Sequence, residues 1–436
     1  MKPKQHQNLL AEVIMMTEDK LGSSNARIVP RIIIHGGAGN ITRKSMSRER
    51  YDAYQASLRH ILEASAELLF KPGATALDVA ASAVSMLEDD PLYNSGKGAV
   101  FTSEGKNELE CSIMVSNGYR KRGIGCMMLR HVKNPIKLAR ELLVRGEVDG
   151  GDGSQDHCQY NGAFVESLAE KWGLDMVDPS YFFTQQRWDE HKKGLEEKQK
   201  QERGHFPTGE MSEWERGNYI PLGTCGAVVL DSFGTICVAT STGGLTNKVP
   251  GRIGDTPTIG AGFWAEEWHD GPASHMKYRQ PRLTPLDQLS RGHVRSLVAD
   301  CLPAFQTSRA EPTESQNASS VRRAVGLSGT GNGDSFLRMA ACRTAAAKSR
   351  FGLTSLSQGV KWMAGPNGEL QKSAGDRWKR FHEGTGGIIG IELVGKKGEV
   401  VWDYNCGGMF RAWIDEDGSP KCRIFRGESY ESGPDD

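Results

Sequence analysis

Gly223-Thr224-Cys225-Gly226-Ala227-Val228-Val229-Leu230-Asp231, GTCGAVVLD, is the stretch on which the reading of this chain turns. A threonine follows a glycine and heads an apolar, β-branched run. Residues 196–222 before it, EEKQKQERGHFPTGEMSEWERGNYIPL, are almost all polar. A threonine hydroxyl is a weak nucleophile and needs an adjacent base. The nearest histidine upstream is His205, inside the polar tract. Cutting the bond before Thr224 would supply another base. The threonine would gain a free α-amino group with a reference pKa of roughly 7.7–8.0. Such a base is matched to neutral pH, and its tether to the same residue holds it in place. Gly223 suits the scheme, because a residue without Cβ tolerates a strained backbone at the cut. The polar tract gives a new chain end room to withdraw. An uncut Gly-Thr strand entry is the alternative those residues leave open.

Outward from this point, the 436 residues suit one large α/β domain, and 38% apolar content supplies a sizeable core. Lys+Arg and Asp+Glu are both 54, so nothing points to nucleic acid or an anionic membrane as partner. Nine cysteines without CxxC spacing read as reduced thiols of a cytoplasmic protein, neither a disulfide framework nor a zinc site. Glu12 interrupts the only apolar run near the N-terminus, so a signal peptide is not expected. No run approaches the length of a membrane span.

Residues 1–30 read as a loosely ordered arm. Ile32-Ile33-Ile34 reads as a short strand ended by HGGAGN, and residues 51–70 as a helix. Thr75 to Asp78 is a capping box ahead of an amphipathic helix. Asn134-Pro135 opens another, with Asn as N-cap. From about 145 to 222 the chain is polar, and DEHKKGLEEKQKQERG (189–204) reads as a solvated helix or disorder. Asp149, Asp152 and Asp156 lack EF-hand spacing, so they read as a solvated loop. Runs 225–230 and 235–240 form a hairpin around DSFG. Residues 265–326 are a second insertion, with a helix expected near VRSLVADCLPAF (294–305). A helix then runs through Phe336, Met339, Ala340 and Arg343, before a last hairpin around Lys396-Lys397-Gly398. Strand pairs separated by helix pairs predict a layered α/β sandwich.

Downstream of the nucleophile stands TSTGGLTNKVPGRIGDTPTIGAGFWA, Thr240 to Ala265. Arg252 and Asp255 could form a surface ion pair. They could equally bind a zwitterion, the guanidinium forking a carboxylate and Asp255 taking an ammonium. SGTGNGD (328–334) could be a helix start or a phosphate cradle, but it lacks the Walker lysine.

GTCGAVVLD and the block after it resemble the plant-type asparaginase/isoaspartyl peptidase family of N-terminal-nucleophile hydrolases. The likeness extends to IIIHGGAGN (32–40), PLYNSGKGAVFTSEGKNELECSIM (91–114), VKNPIKLARELL (132–143), LSGTGNGDSFLR (327–338) and YNCGGMFRAW (404–413), in the family's order. The resemblance implies an α+β fold, a four-layer αββα sandwich. It implies self-cleavage at Gly223–Thr224 into an α subunit (31–223) and a β subunit (224–436), assembled as a dimer of αβ units. Thr224 would be the nucleophile, oriented by Thr242. Arg252 would clamp the substrate α-carboxylate, and Asp255 with the Gly244 carbonyl would hold its α-amine. Thr330 and Gly331 would form the oxyanion hole, with Asn94 near the nucleophile. Backbone carbonyls of Leu87, Glu88, Asp90, Tyr93, Ser95 and Lys97 would hold a sodium ion; no organic cofactor is implied. The expected substrates are asparagine and β-aspartyl dipeptides. A taspase-like threonine endopeptidase, an N4-glycosylasparaginase and an uncleaved, inactive interaction module are the alternatives. The 265–326 insertion, the absence of the family's usual segment after the Asn134 helix (DGGDGSQDHCQY, 149–160, stands there), and Cys225 behind the nucleophile depart from the family pattern.

Overall fold

Alternation along Ile32-Ile33-Ile34 sorts the chain into two cores. Ile32 and Ile34 belong to one buried cluster and Ile33 to the other, as side chains on successive strand residues point to opposite faces. The computed structural model describes residues 27–119, 123–148, 150–154, 157–203, 223–270, 320–379, 382–427 and 430. The expected helix at 294–305 and most of the N-terminal arm lie outside them. The chain divides into two units: residues 1–267 with 324–436, and residues 268–323, mostly outside the described set.

The strands are β1 (Arg31–Gly39), β2 (Leu109–Val115), β3 (Gly123–Leu129), β4 (Gln159–Asn161), β5 (Cys225–Leu230), β6 (Ile236–Thr242), β7 (Phe263–Asp270), β8 (Val321–Gly331), β9 (Gly386–Val394), β10 (Lys397–Tyr404), β11 (Gly408–Ile414) and β12 (Pro420–Arg423). Eight form a mixed sheet in the order β12-β11-β1-β5-β6-β2-β3-β4, and the others a second sheet, β10-β9-β8-β7. Helices α1 (Arg48–Leu69), α2 (Ala76–Asp89) and α3 (Pro135–Val148) cover one face of the larger sheet. Its other face carries Ile33, Val228, Leu230, Ile236 and Val238, which meet Phe263, Ala265, Ile389 and Ile391 of the smaller sheet in the second core. After α4 (Gly162–Lys171), α5 (Gln185–Glu202), α6 (Gly333–Met339) and α7 (Ala341–Gly352), helix α8 (Leu356–Ala364) packs on β9 and β10. It buries Leu356, Val360 and Met363 at helical spacing. Among the described residues no helix is long and apolar enough to cross a membrane.

The hairpin at DSFG forms, because the Asp231 carboxylate accepts from the amides of Phe233 and Thr235, both at 3.0 Å. Thr75 caps α2, accepting from the Asp78 amide. Other expectations change. β1 does not stop at Ile34 but runs through His-Gly-Gly-Ala-Gly. A bulge between His35 and Gly37, where φ is +121°, re-aims the strand end. The helix after Asn332 breaks at Ala340, which is left-handed (φ 44°), giving α6 and α7. Asn134 spends its side-chain amide on Ser85 and Asp89 instead of capping α3. The Glu88 carboxylate takes the Ile136 amide at 3.0 Å; burial pushes that carboxyl up to about 8. Of the polar run 189–204, the residues up to Glu202 are helical and not fully solvated: α5 buries His191 and Glu197, with Arg187 just before the run.

Candidate active site

Antiparallel pairing brings four strand ends together. Cys225 lies opposite Ser241 and His35 opposite Gly226, so the start of β5 meets the ends of β6 and β1. The β8 end joins them, because the Thr330 hydroxyl accepts from the Ala38 amide at 3.2 Å. Gly223 sits in that junction. A Cβ there would come within 3.2 Å of Ala38 N and O, and closer still to Thr330 Oγ1. One cavity of about 450 Å³ opens at this point, walled by Thr224, Thr242, Gly244, Arg252, Asp255 and Gly331 among others. Residues as far apart in sequence as 223 and 331 are therefore neighbours. Thr330, fully buried, stands just behind that wall.

Thr224 is 6% exposed, and its hydroxyl lies 2.7 Å from the Thr256 hydroxyl, itself fully buried. Thr242, expected to orient the nucleophile, instead accepts from the Gly244 amide at 3.0 Å. The Gly244 carbonyl accepts from Asn94 Nδ2 at 2.8 Å, so Asn94 braces the loop and does not wall the cavity. His35 is buried 2.7 Å from Ser328 Oγ, and desolvation lowers it to about 3, so it is neutral. The partner of the Thr224 hydroxyl is thus another hydroxyl, not an imidazole or amine.

Around Arg252 and Asp255 several charged groups are buried with unmet hydrogen-bonding capacity among the described residues. Arg252 Nη2 reaches Asp334 at 3.1 Å, while its buried Nε has no hydrogen-bond partner among the described residues. Asp255 Oδ2 and Glu110 Oε2 are likewise buried and unmatched. Burial pushes the Asp255 carboxyl up to about 7, against the pull of the Arg252 guanidinium. Glu110 is raised by the same cause, and its Oε1 accepts from the Gly254 amide at 2.9 Å. Buried valences of both signs around one cavity are the complement of a ligand carrying an ammonium and a carboxylate.

The Cys225 thiol donates to Ser95 Oγ at 2.9 Å, tying the start of β5 to loop 87–97. In that loop Gly96 has φ +49°, and a Cβ on Gly98 would meet the Pro91 carbonyl at 2.6 Å and, nearer still, that of Tyr93; one on Gly96 would meet the Glu88 carbonyl. Backbone carbonyls of the same loop thus exclude a side chain at both glycines. Among the described residues no group of three or more His, Cys, Asp or Glu could hold a metal.

Four features escaped the reading of the sequence. Thr256 had a signal, a hydroxyl beside Asp255 in a glycine-punctuated loop. Glu110 had another, a lone carboxylate inside the apolar strand LECSIMV. The Ala38 amide had none, being backbone. For α5, read as a solvated helix or disorder, the charge hid that Glu190, Gly194 and Lys198 line the cavity.

The sequence profile described as Asparaginase matches residues 28–271. The isoaspartyl peptidase of Salmonella typhimurium (strain LT2) is 30% identical over 399 residues, 91% of this chain and 98% of that protein. The isoaspartyl peptidase of Escherichia coli (strain K12) is 30% identical over 409 residues, 91% and 96%. The mouse isoaspartyl peptidase/L-asparaginase is 34% identical over 240 residues, 54% and 63%. The chain belongs to this asparaginase family.

Proposed function

We propose that this protein is a threonine amidohydrolase that cleaves its own backbone at Gly223–Thr224 and then hydrolyses asparagine and β-aspartyl dipeptides. The observation that carries the proposal is the meeting of Thr224 with Arg252 and Asp255 in one cavity. The freed Thr224 amine takes the hydroxyl proton, and Oγ attacks the side-chain amide or isopeptide carbonyl. Thr330 and Gly331 donors stabilise the oxyanion, an effect worth a few kcal/mol. The amine returns its proton to the departing ammonia or amino acid. Water then hydrolyses the β-aspartyl ester. Both substrates carry the same α-carboxylate and α-amine, so Arg252 and Asp255 serve both. Thr242 becomes the orienting partner once the new amine can move. His35, held neutral by burial and engaged with Ser328 Oγ and the Thr224 backbone and not with the Thr224 hydroxyl, leaves the amine as base.

The fold is accordingly the four-layer αββα sandwich of N-terminal-nucleophile hydrolases. Residues 31–223 and 224–436 are the α and β fragments, 1–30 is an arm, and the insertion expected at 265–326 narrows to the residues between β7 and β8. Two αβ units pair in the cytoplasm. Carbonyls of Leu87, Glu88, Asp90, Tyr93, Ser95 and Lys97 would hold a sodium ion, which would stiffen the loop bearing Asn94. Thr224→Ala tests the whole reading. The variant should stay a single chain on a denaturing gel and turn over neither substrate, while the wild type yields a fragment whose N-terminal residue is Thr224. An active wild type with that bond intact would refute the mechanism.

A further inference from the structure

Helix α5 brings a second set of charges to the cavity. Glu190, Gly194 and Lys198 all line it, and their i, i+4, i+8 spacing puts them on one stripe of the helix. The stripe is held against the loop after β6. His191 Nδ1 lies 2.5 Å from Asn247 Oδ1, and Asn247 Nδ2 donates to the His191 carbonyl at 3.1 Å. Gly194 leaves room for that contact: a Cβ would stand 2.5 Å from Asn247 Nδ2 and displace the amide. Glycine inside a helix costs about 1 kcal/mol relative to alanine, so the close approach is bought at some expense. Arg187, buried, anchors the first turn through the carbonyls of Gly98 at 2.9 Å and Leu92 at 3.2 Å. Trp188 packs edge-on against Phe101.

The charges on the cavity wall are unequally matched. Glu190 is neutralised by Arg187 at 2.8 Å. Glu383 is held by Arg338 at 2.7 Å and Arg377 at 2.6 Å. Arg252 belongs to the headgroup clamp. Lys198 remains: it is exposed and pairs with no acidic group among the described residues. Asparagine offers one carboxylate, which Arg252 takes. A β-aspartyl dipeptide offers two, the second at the C-terminus of its leaving amino acid. Two cations at one cavity match two carboxylates.

We propose that Lys198 binds the C-terminal carboxylate of the leaving residue, making α5 the element that favours isoaspartyl dipeptides over free asparagine. This rests on the function proposed above and names its leaving-group subsite. The test uses the full chain carrying Lys198→Ala, with processing checked on a denaturing gel. Substrates are asparagine, β-aspartyl-leucine and the C-terminal amide of that dipeptide. KM for the dipeptide should rise about fivefold, as expected for one exposed charge-assisted contact, with kcat within twofold. Turnover of asparagine and of the dipeptide amide should be unchanged, and Lys198→Arg should restore the dipeptide KM. Gly194→Val, which keeps the lysine but displaces the Asn247 amide that ties α5 to the loop after β6, should show the same dipeptide-selective loss. Equal losses on all three substrates, or no loss on the dipeptide, would overturn the assignment while leaving the proposed reaction standing. A correctly cleaved wild type that hydrolyses asparagine but not the dipeptide would also overturn it. A wild type inactive on both would remove the reaction itself and the subsite with it.

Discussion

Gly223→Ala probes the scissile junction through a single methyl group. A Cβ on residue 223 would fall 2.1 Å from Thr330 Oγ1 and 3.2 Å from both Ala38 N and Ala38 O. Non-bonded Cβ contacts do not fall below about 3.0 Å, so at least about 0.9 Å must be recovered. Thr330 cannot provide it cheaply. It is fully buried, and its hydroxyl already accepts the Ala38 amide at 3.2 Å. Gly37 closes the opposite side, since a Cβ there would meet Gly223 N at 2.9 Å. Residue 223 must therefore shift by nearly 1 Å, taking its carbonyl carbon away from Thr224 Oγ. Misplacement by about 1 Å costs on the order of 100-fold in a reaction that depends on alignment. Wild-type and variant chains, incubated at neutral pH and sampled over time on denaturing gels, should differ by that factor in the rate of fragment appearance. Circular dichroism verifies that the variant is folded. Cleavage of Gly223→Ala within threefold of the wild-type rate would refute the argument that this crowded junction presents the bond to Thr224.

Three further outcomes are expected. Thr256→Val removes a neutral buried hydrogen bond to Thr224 worth about 1 kcal/mol, so kcat should fall about fivefold, with Thr256→Ser near wild type; an unchanged Val variant means the hydroxyl pair aligns nothing. The Asp255 carboxyl is held at about 7 by burial, and only its ionised form pairs with a substrate ammonium, so kcat/KM should drop as pH falls below about 7. Its effect on stability has the opposite sign: the folded chain retains a proton that the unfolded chain has released between the ordinary carboxylate range and 7, so stability falls as pH rises through that window. Asp255→Asn should flatten that part of a thermal-unfolding pH series, and no change in slope would exclude Asp255 as its source. Gly331→Ala forces a side chain onto φ +140° with a Cβ 2.5 Å from Gly386 Cα; destabilisation of roughly 1–3 kcal/mol should appear as a lowered Tm, and an unaltered Tm would mean β8 and β9 can separate at that point.

How much was legible depended on the range of the interaction. The hairpin of 225–230 with 236–242 follows from two short β-branched runs around Asp-Ser-Phe-Gly, and the Thr75 cap from a four-residue pattern; both are local. The break at Ala340 was illegible, because alanine carries no breaker signal and its left-handed conformation arises where Cys342 and Arg343 bond back to the carbonyls of Ala261 and Gly260. Helix α5 misled for the opposite reason. Its composition is that of a solvated segment, and its burial depends on polar side chains, of which Arg187 and His191 find their partners on distant loops.

The order of residues alone put forward Thr224 behind a glycine as a candidate nucleophile, Arg252 and Asp255 as either an ion pair or a zwitterion site, and the strand and helix periods that define the class, because each is written within a few consecutive residues. Only the folded chain decided that Thr256 and not Thr242 holds the uncut hydroxyl, that Glu110 meets Gly254 across 144 positions, and that Lys198 looks onto the same cavity. Those contacts are made by strand ends and loops that converge only after two sheets have packed, and no local pattern encodes which distant atoms will share a buried space.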